Sequence, residues 1–129
     1  MVMLWLALAQ VTPAMGSLRF IDRGNKAAGM GRYSHVEDQD MVDAYPALEA
    51  YCGVSPPMTL NAGDATLHDA LTPHSALPNL TDKTRWGLAL TYFPAETLYT
   101  GAPHRSFDNL ELTINEPFDH PAFPIVGEP

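Results

Sequence analysis

Proline and glycine interrupt this chain at short intervals. Twelve prolines and nine glycines fall among 129 residues. Proline removes a backbone donor, and glycine weakens any regular element it enters. Breaks this frequent exclude a helical bundle. Between them lie short apolar or alternating segments, the pattern of strands joined by turns. With 46% hydrophobic and 17% charged residues, the chain has the composition of a core-forming domain rather than a disordered one. Its length suits one domain, here read as a single β-rich domain over 1–129.

The segments can be placed in order. Residues 2–10 carry no charge and read as a strand buried on both faces, bounded by Thr12-Pro13 and Gly16. A signal peptide is the rival reading, but no Lys or Arg precedes Arg19, and the run is too short to span a bilayer. Residues 17–21 alternate and predict a second strand. From Asp22 to Asp40 the chain is loop-like and includes the acidic cluster Glu37-Asp38-Gln39-Asp40. Asp40 is placed to cap a short helix over 41–51, interrupted by Pro46. Residues 58–62 predict a brief strand ending at a Gly63-Asp64 turn. Alternation over 65–75, 85–93 and 108–115 predicts three more strands. The proline-rich tail from Glu116 reads as an extended wrap pinned by Phe118, Phe123 and Ile125. The fold class expected is mainly β, a sandwich or jelly roll.

Charge narrows the partners. Seven Lys plus Arg against fifteen Asp plus Glu give a net charge of -8. A phosphate-binding surface needs the opposite balance, so no nucleic acid and no anionic membrane is expected as a partner. The expected location is cytoplasmic. Cys52 is the only cysteine, so no intrachain disulfide forms and no cysteine-rich zinc module exists.

Chemistry concentrates between Gly63 and Arg85. In an extended strand every second side chain shares a face, so Thr66, His68, Ala70, Thr72 and His74 point one way if Pro73 keeps the register. A small, polar, histidine-bearing face reads either as a ligand-cavity lining or as a solvent-facing strand surface. On the next strand Trp86, Leu88, Leu90 and Tyr92 form a bulky face expected in the core. Arg85, Gly87, Ala89 and Thr91 form a slim one. An arginine beside small residues has room to grip a carboxylate in bidentate fashion, or is simply a surface arginine.

These residues resemble a known family. Gly63-Asp64, then His74-Ser75-Ala76-Leu77-Pro78-Asn79, then Arg85 eleven positions after His74, look like the phytanoyl-CoA dioxygenase family of Fe(II)/2-oxoglutarate oxygenases. Trp5-Leu6-Ala7-Leu8 resembles the family's Trp-x-x-Leu strand, and Met15-Gly16-Ser17-Leu18 stands where its Asn-Gly-x-Leu turn falls. Asp22-Arg23-Gly24-Asn25-Lys26 takes the place of the family's Pro-Gly-Ser-His-Lys. The resemblance covers residues 3–93; residues 94–129 add a loop, a strand and the proline-rich tail. It implies a double-stranded β-helix, the jelly-roll or cupin-like fold, with Fe(II) and 2-oxoglutarate as cofactors. His74 would be the distal iron histidine, and Arg85, on a neighbouring strand, would hold the far carboxylate of the cosubstrate. Trp5 would pack against that cosubstrate, or serve as an ordinary core tryptophan.

The departures matter equally. The family's His-x-Asp iron ligands lie upstream of the Trp-x-x-Leu strand, and here only four residues precede Trp5. The sequence therefore reads as the C-terminal half of the jelly roll, lacking the N-terminal strands. His35-Val36-Glu37 is the one His-x-acid pair, misplaced in a loop. The family's serine two residues after the histidine is Ala76 here. No catalytic residue is assigned. The expected protein is an oxygenase-like domain, inactive alone, hydroxylation of a small organic substrate being its ancestral chemistry. The alternative is a non-catalytic β-domain that binds a ligand or partner, has lost the iron site and holds no cofactor. Exposed sheet edges predict a homodimer.

Overall fold

A computed structural model gives the fold and describes residues 1–22, 52–104 and 106–127. The helix expected over 41–51 and the His35/Glu37 pair lie outside the described residues. Strand β1 spans Val2–Ala7, β2 Leu18–Phe20, β3 Ala65–Asp69, β4 His74–Ala76 and β5 Gly87–Tyr92. They form a three-stranded sheet in the order β3-β1-β5 and a two-stranded sheet of β2 and β4. The architecture is mainly β, as the spacing of turns predicts.

Register decides which side chains share a face. β1 and β3 run antiparallel, with Met3 opposite His68, Leu4 opposite Leu67 and Trp5 opposite Thr66. Directly opposed residues lie on the same side of a sheet. Met3, Trp5, Thr66 and His68 therefore share one face, and Val2, Leu4, Leu67 and Asp69 the other. In the second sheet Leu18 opposes Ala76 and Phe20 opposes His74.

The core sits on the Trp5 side. Ala7, Val11, Met15 and Leu60 are buried together, with Trp5 and Met58 packed against them. Val11 and Leu60 bond backbone to backbone in both directions, at 2.8 and 2.9 Å, and carry the ladder past the end of β1. Ile21, 1% exposed, closes the neighbouring end of β2. Full burial of a side chain this size is worth about 1.5–3 kcal/mol.

Between β1 and β2 the chain turns through a short 3-10 helix, Pro13–Met15. Proline suits its first turn, where no donor is needed. Gly16 closes it in the left-handed region, at φ 72. A Cβ there would run into the Leu77 backbone carbonyl. Only glycine meets both demands.

Several elements differ from expectation. The single strand expected over 65–75 is two strands in two sheets. Asp69 accepts the Leu71 amide at 2.7 Å on its side-chain oxygen, and its carbonyl accepts the Thr72 amide at 2.9 Å. Carboxylate capping of this kind competes with the ladder and turns the chain. Of the strand expected over 58–62, only the Leu60 bridge forms.

The strand expected over 108–115 is a run of turns and irregular backbone. The Asp108 carboxylate accepts the His104 amide at 2.6 Å, the Leu110 amide bonds the Phe107 carbonyl at 3.0 Å, and Asn115 sits at φ 67. The bulky face of β5 is not core: Trp86 is 61% exposed, and Leu88, Leu90 and Tyr92 are exposed as well.

The chain gathers into two compact units, Met1–Thr91 and Tyr92–Pro129. The second is organised by aromatic rings. Phe118 lies 4.9 Å from Phe93, 5.6 Å from Tyr99 and 5.0 Å from Phe123, centre to centre. Phe118 and Phe123 pin the tail as expected, whereas Ile125 is 81% exposed and pins nothing. No helix among the described residues is long and apolar enough to cross a membrane.

Candidate functional site

His74 opens β4, half-buried, opposite Phe20 on β2. Its Nδ1 lies 2.9 Å from the Thr72 carbonyl oxygen. A carbonyl only accepts, so Nδ1 carries the hydrogen and donates it. The lone pair is therefore on Nε2. A ring oriented in this way by a backbone carbonyl is typical of a metal-ligating histidine.

The hop from β3 to β4 brings a second imidazole to the first. His68, on the inner face of β3, is 8% exposed, and its ring centre lies 4.6 Å from that of His74. Phe20 packs against both, at 4.9 Å from His68 and 6.0 Å from His74. Neither nitrogen of His68 has a hydrogen-bond partner among the described residues. Burial pushes the His68 pKa below its ordinary value, and the neighbouring His74 pushes it the same way. His68 and Thr66 line a concavity of about 900 Å3 together with Phe20, Ser55, Met58 and Thr72.

Sequence alternation placed His68 and His74 on one face of one strand. They meet instead from two sheets. Their convergence depends on the turn that Asp69 caps between β3 and β4. Alternation put His68 on the candidate cavity face but gave it no role of its own. Asp69 in fact faces away and caps the turn.

Arg85 does not stand on a strand neighbouring His74. β4 pairs with β2, while Arg85 precedes β5, which pairs with β1. Its Nη1 donates to the Gly16 carbonyl, tying the approach to β5 onto the turn before β2. The Leu80 amide makes a parallel tie to the Ala14 carbonyl at 2.9 Å.

The slim face of β5 also has a different cause from the one its sequence suggests. A Cβ on Gly87 would strike the six-membered ring of Trp5. The space beside Gly87 is filled by indole rather than kept open for a carboxylate. Trp5 thus lies half-buried between the core cluster and β5. Ser75 alternates away from His74 and accepts a hydrogen bond from Arg19 Nε at 3.1 Å. Ala76, at the family's serine position, keeps the His74 face.

Among the described residues no group of three His, Cys, Asp or Glu is placed to hold a metal ion. The donor groups near His74 are the two imidazoles; the Thr66 hydroxyl, on the same face of β3 as His68, is also buried without a partner among the described residues. Two imidazoles suit iron and its first-row neighbours. They fit part of the coordination sphere that a 2-oxoglutarate oxygenase needs, without its carboxylate.

The family model for phytanoyl-CoA dioxygenase (PhyH) matches residues 1–87. Among solved structures, the fold is similar to that of SnoK, a non-heme alpha-ketoglutarate-dependent carbocyclase from nogalamycin biosynthesis. The TM-score is 0.73 at 23% identity, over 95% of this chain and 47% of that one. The chain thus spans about half the length of that structure. No curated protein matches the sequence significantly.

Proposed function

The chain belongs to the phytanoyl-CoA dioxygenase family, and we propose that it carries the distal part of that family's oxygenase site. On this reading His74 is the distal iron ligand, Arg85 the anchor for the far carboxylate of 2-oxoglutarate, and Trp5 a wall of the cosubstrate pocket. Iron and 2-oxoglutarate, when bound, would supply the oxidation of a small organic substrate. The observation that carries the reading is the His74 ring. Its Nδ1 hydrogen is committed to the Thr72 carbonyl, and its Nε2 is left as the donor.

The Phe20 and His68 rings pack beside the His74 ring. Arg85 would have to trade the Gly16 carbonyl for a carboxylate, a stronger, charge-assisted partner. Without a His-x-Asp pair the chain alone is expected not to couple 2-oxoglutarate breakdown to oxidation. Succinate formation measured with Fe(II), ascorbate and 2-oxoglutarate should stay at the no-protein level. Turnover that His74→Ala abolishes would show that the site is complete, with His35 and Glu37 the first residues to test.

One observation favours the alternative, a non-catalytic ligand-binding β-domain. The Arg85 guanidinium already serves as a structural tie to Gly16. The two readings part on Arg85→Gln. Loss of 2-oxoglutarate binding with the melting temperature unchanged supports an anchor. A lowered melting temperature with no ligand effect supports the tie.

A further inference from the structure

His68 is hard to account for as a core residue. It is 8% exposed, and both ring nitrogens lack hydrogen-bond partners among the described residues. A phenylalanine would fill the same space with nothing left unsatisfied. Buried polar atoms without partners point to a group that satisfies them when bound. Thr66 Oγ1, two residues away on the same strand face, is orphaned as well.

The spacing of the two rings suits a metal ion as that group. A metal–imidazole bond is about 2.0–2.1 Å, which puts each ring centre about 3.2 Å from the ion. Two imidazoles bound at angles between octahedral and tetrahedral then have centres about 4.5–5.2 Å apart. The His68 and His74 centres are 4.6 Å apart. His74 already has its Nδ1 hydrogen on a carbonyl and its Nε2 open. By contrast, His104 and His120 accept backbone amides on Nδ1, from Ser106 at 3.2 Å and Ala122 at 3.1 Å. That leaves the hydrogen on Nε2 and neither nitrogen open.

We propose that His68 and His74 together hold one divalent first-row transition-metal ion, with His68 as a ligand. The inference rests on reading His74 as a metal ligand. It adds a second imidazole, supplied from the facing sheet. One histidine comes from β3 and the other from β4, so the ion bridges the two sheets. Solvent completes the sphere on the side of the concavity that His68 lines.

The test uses the full, tag-free chain with Cu(II) as the probe, read by electron paramagnetic resonance and by competition titration. One tightly held Cu(II) is expected, with nitrogen hyperfine structure from two imidazoles. His68→Phe should reduce that pattern to one nitrogen and weaken binding at least tenfold. His74→Phe should do the same, and the double variant sets the baseline from other sites. The His68→Phe chain without metal should melt no lower than wild type, which separates a lost ligand from a lost fold. His68→Gln, equally unable to give an imidazole signal, is read in the same way. If His68→Phe leaves pattern and affinity unchanged while His74→Phe abolishes them, the inference falls and the reading of His74 stands. If neither variant changes anything, both fall.

Discussion

Trp5 and Gly87 settle each other's identity. The indole occupies the volume that any side chain at 87 would need. Gly87→Val should therefore push the ring off the core cluster, at about 1–3 kcal/mol for overpacking. The check is urea unfolding, with Trp5 fluorescence followed in a Trp86→Phe background. A wild-type emission maximum and midpoint would show that the ring has room to move. Sequence alone gave Trp5 two roles, and it also noticed that the Arg85 face was slim. It could not say that one explained the other, because the two residues are far apart in the chain and meet only through the β1–β5 pairing. His74 was legible from its spacing to Gly63-Asp64 and Arg85. The tautomer that makes it a donor was not, since that depends on where the Thr72 carbonyl points.

At the scale of elements, an apolar run located β1, which is half-buried rather than buried on both faces, and alternation located β2, β3 and β5 but failed where turn chemistry overrode it. In 65–75 the side-chain oxygen of Asp69 turns the chain between two sheets. In 108–115 the alternating Leu110, Leu112 and Ile114 look like a strand, but Asp108 caps a turn and no ladder forms. The second unit is organised instead by its aromatic cluster. Phe118 contacts Phe93, Tyr99, Phe107 and Phe123. Phe118→Ala should cost about 2 kcal/mol, below the 3–5 typical of a fully buried phenylalanine because this one is half-buried. Hydrogen exchange should quicken across 97–123 and stay unchanged in β1 and β3. Equal quickening in both units would mean that they unfold as one.

For the whole molecule, the outer face of the three-stranded sheet carries large apolar side chains into solvent. Trp86, Leu88 and Leu90 belong to the bulky face expected in the core, yet with Val2 and Leu67 they are all at least 37% exposed. Several large apolar side chains exposed on one sheet face suit an interface. We propose that a second copy of the chain covers it, by symmetric pairing of the same patch. Light scattering at micromolar concentration should give twice the 14.1 kDa of one chain, and Leu88→Glu should return it to one. A wild-type mass that stays at 14.1 kDa as concentration rises would remove this expectation. The net charge of -8 opposes pairing only weakly, because physiological salt screens it beyond about 8 Å. The turn at Asp69–Pro73 has its own consequence at this scale. It is a five-residue strap that carries the chain out of one sheet and into the other, leaving a histidine at each end. A guest gripped by both rings would act as a rivet through the sandwich. The sheets could then no longer part separately, and loosening either one would first require the guest to leave.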